Sequence, residues 1–261
     1  MLASAYIISF TGMILLPIVA WIIFTRKFAL SWKLILAGGL TFIASQIPHI
    51  PLVQALGPVM AKNTLLVNAI ILGLLAGIFE ETSRYILFKL ILKKARTWKE
   101  GLLVGLGHGG TEALLLGISA AASFVMLMGY RSVDLSTVSS IPADQLELAK
   151  QQVAAYWSAP TYMALMGFVE RAFTMCMHVS FSLMVIYALA SKKAIWFWLA
   201  LLWHAIIDAV AVFVGQTAGV LVAEGMLALF AVISIWIVFF LRPMFPQDSG
   251  DVSEQQTVAV S

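Results

Sequence analysis

Long apolar runs separated by short polar connections make up almost the whole chain. Seven of them, near residues 4–25, 34–57, 64–92, 100–130, 160–190, 194–214 and 218–241, reach the roughly 20 residues a helix needs to cross a bilayer. Only helices or closed barrels satisfy their own backbone groups in lipid, and runs of this length are helical. The pattern therefore predicts an all-α polytopic bundle of about seven transmembrane spans, in one domain over residues 1–245. The third, fourth and fifth runs are longer than a bilayer requires and must tilt or project beyond it. Pro48 and Pro51 flank His49 in the second run and predict a kink or a break there. No internal repeat is visible. Residues 246–261 read as a short, polar, disordered tail.

Charge between the runs orients the bundle. Arg26, Lys27 and Lys33, then Lys93, Lys94, Arg96 and Lys99, then Lys192 and Lys193, and finally Arg242 fall on alternate connections. The intervening connections hold only Lys62, Arg131 and Lys150. The positive-inside rule places the N-terminus outside and the C-terminus, with its tail, in the cytoplasm. The long connection from Arg131 to Ala159 is then external, and its second half, PADQLELAKQQVAAYW, predicts a short amphipathic helix on the membrane surface.

Composition agrees. Hydrophobic residues are 61% of the 261, and charged ones only 11%, against about 25% in soluble domains. The net charge of +3 resides in the clusters flanking spans, which excludes nucleic acid as a partner. The first run lacks the basic n-region of a signal peptide and is too long for one, so it reads as a span left in place. Cys176, the single cysteine, can form no intrachain disulfide.

Ionisable residues inside spans are costly and mark function. Here they are Glu80, Glu81 and Arg84, then His108 and Glu112, then Glu170, Arg171 and His178, then His204 and Asp208, and Glu224. Counted at about 1.5 Å per residue from the nearest basic cluster, Glu81, His108, His178, His204 and Asp208 lie roughly 14–22 Å in. Glu170 and Glu224 lie roughly 27–33 Å in, outside that layer. Glu80 and Arg84, His108 and Glu112, and His204 and Asp208 are each four apart and share a helix face. A polar interior formed by spans three to six follows.

Each group admits more than one chemistry. A carboxylate pair beside an arginine can hold a general base for water, or can tie span three to its neighbours. His108 with Glu112, and His204 with Asp208, can be metal ligands, oxyanion donors or His–carboxylate orienting pairs. His178 joins them through depth alone. Arg171 calls for an acid such as Glu170 or Glu224, and His49 reads as structural. The H-E-x-x-H helix of soluble metalloproteases is missing.

Taken in order, E-E-x-x-R, H-G-G-x-E, a lone histidine and H-x-x-x-D on successive spans resemble the CAAX-protease and bacteriocin-processing membrane peptidases, a superfamily that includes PrsW-like proteases. HGGTEA and ER-x6-H look most like its YhfC branch of intramembrane metalloproteases. The resemblance covers residues 64–215. It implies an intramembrane endopeptidase of the bacterial plasma membrane, cleaving a membrane protein or peptide. Glu80 and Glu81 would be the base pair with Arg84 in support, His108 and Glu112 the second motif, and His204 and Asp208 the third. The spacing departs from the CAAX pattern, which puts three residues between the glutamates and the arginine where this chain has two. Either glutamate-activated water works unaided by metal, or His108, Glu112, His178, His204 and Asp208 supply ligands for a divalent ion, zinc foremost. The expected site opens towards the cytoplasmic half. A proton- or ion-coupled transporter, and a non-catalytic binding or immunity protein, are the competing functions.

Overall fold

A computed structural model describes residues 1–245, and among them only helices, turns and connecting segments occur. The helices are α1 (Leu2–Phe28), α2 (Lys33–Met60), α3 (Leu65–Ile86), α4 (Trp98–Tyr130), α5 (Leu146–Ser158), α6 (Thr161–Ser191), α7 (Ile195–Thr217) and α8 (Val220–Leu241). A π-helical turn, Leu87–Ile91, continues α3. Seven of the helices are long and apolar enough to span a membrane, all but α5. The seven expected spans are thus present. With 33 and 31 residues, α4 and α6 run about 50 and 46 Å, well beyond a hydrocarbon core of about 30 Å. The tail expected at 246–261 lies outside the described residues.

The break expected in the second span does not occur. Pro48, Pro51 and Pro58 all lie inside a continuous α2. Proline costs one backbone bond each time, but in lipid a helix tolerates it where neighbouring helices hold the segment, and α2 packs along both α3 and α4.

The amphipathic segment of the long loop forms α5. It is docked rather than free: the Tyr156 ring stacks on Tyr6 at 4.2 Å, and the Trp157 indole donates to the Leu127 carbonyl at 3.0 Å. These contacts mark one end of the bundle. At the other end Phe28 meets Trp98, Arg242 lies over Trp98, and Tyr187 meets Trp196, so the four basic connections share that end.

Glycines set the helix spacing that the site needs. A methyl group at Gly38 of α2 would lie 2.1 Å from the Val104 carbonyl oxygen of α4. One at Gly73 of α3 would lie 2.3 Å from the Ala205 carbonyl oxygen of α7. Small residues let backbones approach this closely, and each contact lies within two turns of a polar side chain of the site.

Gly38→Ala is expected to cost about 1–3 kcal/mol through overpacking, read as a lower thermal midpoint in detergent. Gly57→Ala in the same helix, where nothing lies within 4 Å, is the control and should leave the midpoint unchanged or raise it.

Candidate active site and metal centre

The eight residues singled out from the sequence form one connected network. From α3, Glu81 pairs with Arg84 one turn on, and its Oε1 also accepts from His204 Nδ1 of α7 at 2.7 Å. Glu80 Oε2 faces His108 Nε2 of α4 at 2.9 Å and Arg84 at 3.6 Å. Arg84 Nη2 reaches His178 Nδ1 of α6 at 2.7 Å, and Glu112 Oε2 accepts from His178 Nε2 at 2.6 Å. Asp208 Oδ2 lies 3.5 Å from His204 Nε2.

Glycines let these partners meet. Gly109 of α4 faces the His178 ring, where an added Cβ would lie 2.7 Å away. Gly77 of α3 does the same against Leu201 of α7, one turn from both Glu81 and His204.

The pairings differ in part from those the i, i+4 spacing suggests. His108 and Glu112 share a face but take different partners, Glu80 and His178. Arg84 contacts Glu81 more closely than Glu80. Arg171 pairs with Glu170, as expected, and with Glu112 at 2.6 Å. That second bond draws Glu170 into the cavity wall, although depth had set it outside the cluster. Glu224 remains apart, with its Oε2 buried and unpartnered.

Sequence reasoning missed α2. Thr41 Oγ1 lies 2.8 Å from His108 Nδ1 and donates its own proton to the Gly38 carbonyl at 2.6 Å. Gln46 donates to Glu80 Oε1 at 3.3 Å and meets His49 Nδ1 at 3.1 Å. Uncharged Thr41 and Gln46 carry no signal in a chain of threonines and apolar residues. The one available hint was Thr41 lying two residues after the Gly38–Gly39 pair that admits α4.

Hydrogen-bond accounting fixes how each imidazole faces. The Thr41 hydroxyl has spent its proton on Gly38, so His108 Nδ1 donates to it, and the contact of Nε2 with Glu80 Oε2 at 2.9 Å calls for a proton or a cation between two acceptors. Glu112 is an acceptor only, so His178 Nε2 carries the proton and Nδ1, on the inner side of the ring, accepts from Arg84 Nη2 at 2.7 Å. Glu81 takes the His204 Nδ1 proton, and Nε2 turns inward. The three inward nitrogens lie 2.9, 4.0 and 3.9 Å from one atom, Glu80 Oε2. An outer partner that holds one ring nitrogen while the other faces inward is how proteins prepare histidines for metal. Glu80, His108 and His178 bring one donor atom each within 4.8 Å of one another. Two histidines and a glutamate are also a ligand set of catalytic zinc.

A polar cavity of about 80 Å³ lies against this cluster, lined by Glu80, His178, His204, Asp208, Glu170 and Arg171 among others. Several waters fit in that volume. Side-chain exposure rises along it, from 7% at Glu80 to 19% at Glu112, 39% at Glu170 and 40% at Asp208. The most exposed wall residues, Glu170 in the first half of α6 and Asp208 in the second half of α7, lie towards the α5 end, so the cavity opens there. Under the orientation expected from the charge pattern that end is the outer one, whereas an opening towards the cytoplasmic half was expected from the sequence. Towards the basic end, Leu103, Phe88, Leu183, Val185 and Ile186 are packed in an apolar core.

Thr41→Val removes the acceptor for His108 Nδ1 at nearly constant volume. Loss of such an outer partner typically costs 10–100-fold in metal affinity or activity, and that loss is expected here with the thermal midpoint little changed.

The sequence profile of the YhfC intramembrane metalloprotease family matches residues 12–236. An uncharacterized membrane protein, YhfC of Bacillus subtilis (strain 168), is 30% identical over 239 residues, which cover 86% of this chain and 90% of that protein. No solved structure matches the chain. With seven spans and a match across most of its length, this integral membrane protein belongs to the YhfC intramembrane metalloprotease family.

Proposed function

We propose that the chain is an intramembrane endopeptidase that hydrolyses a peptide bond of a membrane-associated protein or peptide, with Glu80 as the proton acceptor for the attacking water. One observation carries the reading: three imidazole nitrogens held by outer partners converge on Glu80 Oε2, at the inner end of a polar cavity of about 80 Å³.

Water entering from the α5 end meets Glu80, whose carboxylate takes one proton as the oxygen attacks the scissile carbonyl carbon. The carbon–nitrogen bond then breaks, and the same proton passes to the departing nitrogen. Gln46, which donates to Glu80 Oε1 at 3.3 Å, holds that carboxylate in place. His204, between Glu81 and Asp208, donates from Nε2 to the carbonyl oxygen when it carries a second proton. Arg84 holds Glu81 seated against His204. Arg171 and Glu170, at the mouth, are placed to meet polar backbone of the substrate.

Glu80, His108 and His178 would hold a divalent cation, with His204 next nearest, and the family's name supports such an ion. When bound it supplies Lewis acidity to the scissile carbonyl and to water. The donor set fits. Five carboxylates (Glu80, Glu81, Glu112, Glu170, Asp208) face only two guanidiniums (Arg84, Arg171), and the His178 Nδ1 lone pair would exchange the Arg84 Nη2 hydrogen bond for the cation.

A proton-coupled transporter uses the same residue types, but it needs a polar route to both faces. The apolar packing of the basic end favours hydrolysis. The mouth at the α5 end, taken with the charge pattern, supports cleavage in the outer half of the bilayer.

The purified protein in liposomes, offered fluorogenic transmembrane peptides, tests the reading. Glu80→Gln is expected to lose on the order of 10²–10⁴ in rate while staying folded, and Glu81→Gln to be damaged too. Substantial cleavage by a folded Glu80→Gln,Glu81→Gln double variant contradicts the mechanism. Access is checked by reporter fusions. One inserted within residues 135–155 should read external, and those after Lys99 and Lys193 cytoplasmic; the reverse pattern moves the cleaved bond to the cytoplasmic half.

A further inference from the structure

A second cavity lies on the opposite face of α6. Residues Arg171, Thr174, Met177 and His178 of that helix line the polar cavity, whereas Ala172, Met175, Cys176 and Val179 line an apolar one of about 520 Å³. That volume is within the 300–1,000 Å³ of small-molecule sites. The floor is α4 and α6; the walls are α1 and α8, which each pack on α6 without packing substantially on each other. The space between them therefore faces the bilayer sideways.

Its polar features are confined to one end. Lys27 closes α1 there and Arg242 follows α8, with the Arg242 guanidinium 5.4 Å from the Trp98 ring. Trp98 donates its indole N–H to the Val238 carbonyl at 2.9 Å, fixing that corner. Neither cation forms an ion pair with a carboxylate among the described residues. From Leu16 to Lys27 the groove follows α1 for about 16 Å, close to half of a hydrocarbon core about 30 Å thick. An apolar slot one leaflet deep, with two uncompensated cations and an indole at the interface, has the shape and charge of an amphiphile with an anionic head. Basic pockets between spans on the cytoplasmic side bind acidic headgroups by the same electrostatics.

We propose that this groove is a binding site for one anionic phospholipid, with an acyl chain between α1 and α8 and its phosphate at Lys27 and Arg242. The lipid lies directly behind the turn of α6 that carries His178. The assignment does not depend on the proposed catalysis.

Native mass spectrometry of the delipidated full chain, titrated with phosphatidylglycerol and with phosphatidylcholine of identical chains, tests it. One phosphatidylglycerol should bind at least several-fold more tightly than phosphatidylcholine, and Lys27→Ser,Arg242→Ser should abolish that preference without lowering the thermal midpoint. Cys176, the only cysteine, lies in the groove wall and gives a second readout: bound phosphatidylglycerol should slow its alkylation by N-ethylmaleimide several-fold. Equal binding of the two lipids overturns the proposal, as does an unchanged preference in the double variant. So does protection of Cys176 by a neutral transmembrane peptide and not by phosphatidylglycerol, or by dimerisation of lipid-free chains.

Discussion

Buried charge in a low-dielectric interior has to be matched, and that constraint governs the architecture. Arg84 is fully buried, as is Glu81, and removing one member of such a pair strands the other at a cost of about 3–5 kcal/mol. Neighbouring helices present groups that satisfy most of what this pair leaves over, while Glu81 Oε2 and Arg84 Nε stay buried without a hydrogen-bond partner among the described residues. Glu81 Oε1 is completed by His204, and Arg84 Nη2 by His178. His178 needs an acceptor for its other nitrogen and finds it in Glu112, which in turn needs Arg171. The chain of requirements runs outward from α3 until it reaches solvent-accessible Glu170 and Asp208.

Packing makes this possible because the polar contacts are short-range and the helices are otherwise smooth. Glycine at the crossings, with only hydrogen where other residues carry a methyl group, brings backbones close enough for side chains of modest length to touch across the interface. Gly38 against α4 sets Thr41 beside His108, Gly77 against α7 sets Glu81 beside His204, and Gly109 admits the His178 ring. Between these crossings α6 forms a partition, with a polar cavity on one face and an apolar groove on the other.

Much of this was legible in the sequence. Seven spans follow from apolar length, and the shared depth of Glu81, His108, His178, His204 and Asp208 follows from helical rise. What spacing cannot give is the neighbour across an interface. His108 and Glu112 lie on one face, yet that face meets two helices, and each residue turns to a different one. Depth alone put Glu170 outside the cluster, because a long arginine can carry its network a further turn. Thr41 and Gln46 are polar without charge and do not stand out in a span. Proline argues for a break less strongly in a long apolar run, and α2 stays continuous through Pro48, Pro51 and Pro58 although its buried residues all lie before them. The side on which the cavity opens depends on which half of the bundle is tightly packed, and hydropathy does not encode that.

Excess negative charge around Glu80, with each histidine holding one nitrogen inward, is the central claim about the site, and metal content tests it most directly. Protein purified without chelators should carry close to one divalent ion per chain by elemental analysis. That ion should be lost from folded His108→Ala and His178→Ala variants. Wild-type protein that cleaves peptide at full rate with less than about a tenth of an ion per chain would contradict it.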